Sequence, residues 1–342
     1  MPKKTLAIGA TLADIYVRST NFHFQQRGNE RWLCQQYGSK LAVDETKVTS
    51  GGGASNVAVG LARLGFNSSL ISEMGRDHFA TIIEQDLSRD NVNTELVIKE
   101  KLESTGISII LVGADGERTV LVDRGASALL DDYDIPVARV AAQDWVHITS
   151  LNGRQKALKK IFKSLNVCKT GFSWNPGAGE LELIAKGDLK LNIDPSQHAI
   201  FFVNREEWES IKNKQTEINQ KFATIVITDG RKGGYIYQQG VEKWFYHGAN
   251  DHPLDTTGAG DSFATGFVAA TLRGANIPLA CEWGRQNAAN VVRFYGAKQG
   301  LLNLEGIDKA IQIVKLKEKL KAKKAAAKKK KSTIKKNPTS AS

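Results

Sequence analysis

Ala199-Ile200-Phe201-Phe202-Val203-Asn204 runs straight into Arg205-Glu206-Glu207-Trp208-Glu209-Ser210-Ile211-Lys212. Five apolar residues without alternation read as a buried strand, and the polar octet behind them reads as a helix over 205–212. The couplet recurs on both sides. Upstream, residues 171–175 read as a strand and 180–185 as a short helix, and before them 145–150 as a strand and 154–165 as a helix. Downstream, 223–228 reads as another strand. Alternation of this kind implies a mostly parallel sheet with helices on both faces, an α/β fold.

The flanks extend the pattern. Residues 5–10 read as a first strand, Gly51-Gly52-Gly53 opens a helix over 54–64 that Gly65 ends, and a strand (68–73) and a helix (77–89) follow. Two β-rich runs, 105–113 and 117–125, flank Ala114-Asp115-Gly116, a hairpin turn signal. Residues 235–238 and 243–246 read as an inserted hairpin, and helices over 258–272 and 278–294 close the body. Residues 11–50 mix aromatic and polar residues without a clear period and read as an irregular projecting flap.

With 342 residues, 41% of them hydrophobic, the chain has ample material for a sizeable core. It has no run of about 18 apolar residues, so no membrane span is expected. The apolar stretch after Met1-Pro2-Lys3-Lys4 is too short for a signal-peptide core. Cys34, Cys168 and Cys281 lie far apart and form neither metal spacing nor a disulfide framework, which favours a reducing, cytoplasmic setting. The six histidines show no metal spacing. Twelve of the 47 basic residues and one of the 36 acidic residues fall between Lys315 and Ser342, so that tail carries the whole net charge of +11. The body, 35 basic against 35 acidic, carries none. The tail is expected to be disordered beyond about Lys323 and to touch polyanions non-specifically.

The chemistry concentrates in Asp255-Thr256-Thr257-Gly258-Ala259-Gly260-Asp261. A loop of small residues leading into a helix start offers free N–H groups and a positive dipole end, which suits a phosphate. An aspartate there can take a proton from a hydroxyl while the N–H groups hold the phosphoryl group under attack. The dipole is expected to keep Asp261 ionised. The run therefore suggests phosphoryl transfer to an alcohol. Neither a Walker A loop nor Gly-x-Gly-x-x-Gly after the first strand is present, which argues against a P-loop kinase and a dinucleotide-binding dehydrogenase. In open parallel sheets ligands sit at the carboxyl ends of the strands. Asn204 to Glu207, Thr228-Asp229-Gly230 and the segment from Gly9 to Asp14 all fall at such ends.

At this point the chain resembles the ribokinase-like carbohydrate kinases, the PfkB family, over about residues 5–304. The C-terminal signature is 255–263, the N-terminal one Gly51-Gly52-Gly53-Ala54-Ser55-Asn56 with Gly75-Arg76-Asp77 downstream, and Asn204-x-x-Glu207 lies between them. The resemblance implies a three-layer α/β/α body over residues 1–310, with a small β lid from about 11–50 and 100–127, and a tail over 311–342. It implies an ATP-dependent kinase using Mg²⁺. Asp261 would be the general base, and Gly258, Ala259 and Gly260 the anion hole. Asp14, Gly52, Gly53 and Asn56 would hold substrate hydroxyls, with Arg124 near the lid meeting an acidic or phosphorylated sugar. Asn204, Glu207, Thr228, Gly230, Gly233 and Asn287 would form the nucleotide end, Glu207 reaching Mg²⁺ through water. Asp255 and Thr257 match a K⁺ loop. Lid strands in this family often pair between subunits, which implies a homodimer. Two departures stand out: Ala80 occupies a position where glycine is common, and residues 22–47 are longer and more aromatic than a minimal lid. A nucleoside kinase is the close alternative. A nucleic-acid-binding protein using the basic tail is a more distant one, and a catalytically silent regulator is opposed by the intact Asp261 loop.

Overall fold

The computed structural model describes residues 1–114, 118–248 and 253–313, and only the backbone of Lys243. The turn expected at Asp115-Gly116, His252 and the lysine-rich tail lie outside the described residues.

A nine-stranded sheet forms the body. From one edge to the other it runs Val241–Tyr246, Gly234–Gln238, Thr224–Thr228, Ala199–Asn204, Gly171–Trp174, Trp145–Ile148, Lys4–Ile8, Asn67–Met74 and Val97–Lys99. Seven strands pair in parallel, and the two at the first edge join antiparallel. The hairpin after Thr228 is thus no separate insertion but a continuation of the sheet. Neighbouring residues in each central strand feed different cores. Ile200 and Phe202 pack with the helices Gly53–Arg63, Ala259–Leu272 and Ile277–Val291. Phe201 and Val203 pack with Gln155–Cys168 and Ala178–Lys186 on the opposite face. Two cores on one sheet make the three layers, and each fully buried large apolar side chain contributes roughly 1.5–3 kcal/mol.

The flap is a built structure. Leu12–Arg18 lies between Glu45–Gly51 and Thr105–Val112, with Arg118–Gly125 on the outer side, in a four-stranded lid sheet. His23–Arg27 and Glu30–Cys34 form a separate ribbon, steadied by Arg27 over Trp32 and Arg31 over Phe24. The expectation of irregular structure over 11–50 was wrong there. Strand pairing overrode a mixed composition, because one face of this sheet buries Asp14 and Ser108 together with Tyr16 and Ile110 while the other is apolar and partly exposed.

Candidate active site

The lid and the anion loop meet across a cleft of about 270 Å³ lined by Asp14, Ser108, Ile110, Arg118, Val120 and the loop from Thr256 to Asp261. Strand register explains the lid wall. Asp14 faces Ser108 across one pairing, and Tyr16 faces Ile110, which faces Val120, in the next row. A larger surface hollow of about 610 Å³, around Arg76, His78 and Lys99, holds none of these groups.

Gly258 starts the helix Ala259–Leu272 at φ 74°, and an added Cβ would press within 2.4 Å of the Ala297 Cβ, so only glycine fits this turn. Asp255 fixes the loop from behind: its carboxylate accepts from the Thr257 N–H at 2.9 Å and from the Gly296 N–H at 3.0 Å. The Ala259 N–H is taken by the Thr256 carbonyl at 3.2 Å. The N–H groups of Gly258, Gly260 and Asp261 meet no acceptor among the described residues, and nothing lies within 4 Å of where a Gly260 Cβ would be. The free donors therefore include Asp261 and leave out Ala259.

Asn56 Nδ2 donates to Asp261 Oδ2 at 2.9 Å. Asn56 is brought there by Gly52, the helix cap at φ 90°, where a side chain would strike the Ala10 carbonyl at 2.5 Å. Burial raises the Asp261 carboxyl, and the Asn56 bond only partly opposes it. Burial therefore works against the charged form that the helix position favours. Burial also pushes Asp14 up to about 6, helped by the charges of Asp255 and Asp261 and opposed by a Ser108 hydrogen bond and by Lys298. Arg118 reaches from the lid to Thr256 Oγ1.

A helix start lies within reach of the Asp261 charge. Asn204 accepts from the Glu207 N–H at 2.8 Å, and Glu207 Oε2 accepts from the Asn204 N–H at 2.7 Å, a closed capping box. Burial raises Glu207, the Asn204 bond opposes it, and the charges of Glu206 and Asp261 raise it further, so Glu207 and Asp261 sense one another. Thr228 ends its strand with its hydroxyl toward the Val203 carbonyl. Beside it, Gly230 borders open space.

Residues 3–303 match the sequence profile of the pfkB family carbohydrate kinases. The chain belongs to that family. It is a phosphotransferase with an alcohol group as acceptor, and its fold is ribokinase-like. An uncharacterized sugar kinase of Archaeoglobus fulgidus is 29% identical over 257 residues, covering 71% of this chain and 98% of its own. The nucleoside kinase of Methanocaldococcus jannaschii superposes with a TM-score of 0.73 at 22% identity, covering 91% of this kinase and 99% of its own chain. A putative ribokinase II of E. coli in complex with ATP and Mg²⁺ gives 0.72 at 18% identity, covering 91% and 99%.

Asn287, Gly233 and Arg124 are not among the residues that line the cleft of this kinase. Asn287 is fully buried, donating to the Ser262 carbonyl at 2.8 Å and accepting from the Leu302 N–H at 2.9 Å, so its polar atoms tie helices together. Gly233 closes the turn into Gly234–Gln238 against the Tyr246 carbonyl. The exposed Arg124 sits on the same strand as Arg118, but only its carbonyl is engaged, by Ser127 at 2.6 Å. The lid arginine of the cleft is Arg118, and Ser108, Ile110 and Val120 also escaped the sequence reading. Their signal was the alternation within 105–125 once Asp14 is placed opposite.

Proposed function

We propose that this kinase transfers the γ-phosphoryl group of ATP to a sugar hydroxyl, with Asp261 as the general base. The observation that carries the reading is the pairing in one cleft of an oriented carboxylate with free N–H donors. Asp261 is held by Asn56 so that its other oxygen can accept the acceptor's proton as the phosphorus–oxygen bond forms. The N–H groups at Gly258, Gly260 and Asp261 meet the charge on the phosphoryl oxygens, and losing one such donor costs about 3 kcal/mol of barrier. Asp14 and Ser108 orient the acceptor hydroxyls while the lid keeps water out. The cleft suits a sugar better than a nucleoside, since it is small and no aromatic residue lines it.

The residues fit a divalent cation held largely through water. Glu207 keeps Oε1 free and is crowded by acidic neighbours, which a cation relieves. Mg²⁺ is bound through one or two carboxylates and substrate phosphates with several waters retained, and Glu207 offers one such carboxylate. Bound Mg²⁺ would neutralise the phosphate charge. A K⁺ beside Asp255 and Thr257 would draw on loop carbonyls and on the Asp255 lone pairs that the Thr257 and Gly296 N–H bonds leave over. We also read the outer face of the lid as the surface for a second copy. Val48, Ile15, Ile109 and Leu121 form one apolar row across its four strands, with Val48 and Leu121 exposed. Among the described residues no helix is long and apolar enough to cross a membrane.

The test is ADP release from ATP and Mg²⁺ against a panel of sugars and nucleosides. A sugar that raises release well above the water background is expected. Preference for adenosine selects the nucleoside reading, and a panel with no active acceptor sinks both.

A further inference from the structure

The segment 295–299 grips the lid and the anion loop at once. The Tyr295 ring lies 6.1 Å from that of Tyr16, and Lys47 Nζ donates to Gln299 Oε1 at 2.7 Å, both on the lid side. Toward the loop, Gly296 donates to Asp255 and Ala297 packs under Gly258. Between them sits Lys298, only 7% exposed and the one buried lysine among the described residues. Its Nζ donates to Ser50 Oγ at 2.6 Å, and Ser50 Oγ donates to Asp86 Oδ2 at 2.6 Å. The next residue, Gly51, lies so close to Asp14 that an added Cβ would stand 2.0 Å from Oδ2.

We propose that Lys298 is a positioning residue for the acceptor: it anchors the Ser50-Gly51 end of the lid strand beneath Asp14 and sets a buried positive charge on that side of the cleft. The proposal rests on the reading that Asp14 meets the acceptor. The surrounding charges favour it. Asp90 is already forked by Arg63 at 2.7 and 2.9 Å, and Asp86 pairs with Arg89 at 2.9 Å. Asp14 faces the charges of Asp255 and Asp261, and Arg118, on the same cleft, is turned to Thr256. Lys298 is the cation that answers Asp14. It has itself been pulled down to about 8 by burial, against the charges of Asp86, Asp14 and Asp90 and with that of Arg63, and so remains protonated at neutral pH. An ammonium on a flexible stem holds Ser50 and the charge together; an uncharged residue of like length can do neither.

Two readouts separate this from a purely structural role and from the kinase reading. The first needs no turnover. The Asp14 carboxyl carbon is titrated by NMR in the ligand-free full chain, its signal assigned by loss in Asp14→Asn. Lys298→Met is expected to raise the Asp14 midpoint by about one unit, and Lys298→Arg to restore it. The second is kinetic, with D-ribose and adenosine as acceptors. Lys298→Met is expected to raise the acceptor KM about tenfold with a smaller change in kcat, and to move the acid limb of kcat/KM upward with the Asp14 midpoint. Ser50→Ala, which leaves both charges in place, should raise the KM without moving that limb. If wild type turns over neither acceptor, the function reading suffers while the titration still decides the Lys298–Asp14 link. An unmoved Asp14 midpoint in folded Lys298→Met overturns the proposal. Should that variant not fold, an Asp14 midpoint in Lys298→Arg far from wild type, or an unchanged KM in Ser50→Ala, overturns it instead.

Discussion

The body sheet is built from strands of three to eight residues and the lid sheet from strands of seven or eight, and the two answer to different constraints. In the body, Ala199–Asn204 buries side chains on both faces, and Trp174, Phe201 and Phe222 pack in contact with one another. In the lid, one face sets Asp14 and Ser108 beside Ile110 and Val120 in the cleft wall, and the other is an apolar row. A two-sided core leaves each strand a single place to be. A one-sided lid leaves its strands free to serve ligand and partner.

Mutations should separate the two. The largest effect is expected where they meet. Asp261→Asn should lower kcat by about 10²–10⁴-fold while nucleotide binding persists, measured by turnover and by titration with a non-hydrolysable ATP analogue. Wild-type turnover in that variant removes Asp261 as the base. Within the body, Phe201→Ala should cost about 3–5 kcal/mol in urea unfolding; a loss below 1 kcal/mol would mean that this core is not close-packed.

Protons sharpen the contrast further. His147 is fully buried in the body, and burial pulls it down to about 3 from 6.5. The unfolded chain takes this proton near pH 6.5 and the folded chain refuses it, so the His147 contribution to stability is complete above 6.5 and drains as pH falls toward 3. Glu73 works the other way. Burial and Asp134 raise it to about 8, so its contribution is complete below about 4.5 and drains as pH rises through 8. His147→Gln should therefore flatten the acid side of the melting-temperature profile, and an unchanged acid slope counts against the assignment. In the lid the proton acts on function: acceptor kcat/KM should fall as pH drops through about 6, where Asp14 protonates. A profile flat from pH 7 to 5 would detach Asp14 from acceptor binding. The smallest effect on the fold is expected at Leu121→Ser, within about 0.5 kcal/mol in the monomer, with any dimer weakened in light scattering. Loss of monomer stability there would mean that the outer face is covered from within.

The same contrast explains what could be read in advance. Runs such as Ile200 to Val203 announce themselves because burial on both faces excludes polar residues. Leu12–Arg18 alternates Asp14 and Tyr16 against Ala13, Ile15 and Val17, and was passed over because its buried face carries a carboxylate and a phenol instead of apolar residues. The ribbon had a usable sign in Gly28-Asn29, a two-residue turn between aromatic-bearing runs. Val97–Lys99 is too short to carry a pattern, and Gln215–Lys221 is too polar. At the site, the glycine loop and Asp261 were legible because the chemistry is local in sequence. Arg118, Ser108 and Lys298 were not, because they reach the cleft through strand register and a distant turn.

The bonds that complete the site span nearly the whole chain: Asn56 to Asp261 closes a separation of 205 residues, and Lys298 to Ser50 one of 248. Synthesis delivers the chain from its N-terminus, and long-range contacts form late. The body's first parallel strands can pair while the ribosome is still at work, but the lid strand cannot take its anchor until Lys298 has emerged. A fragment cut short of that point therefore lacks the anchor that ties the lid strand to the 295–299 segment.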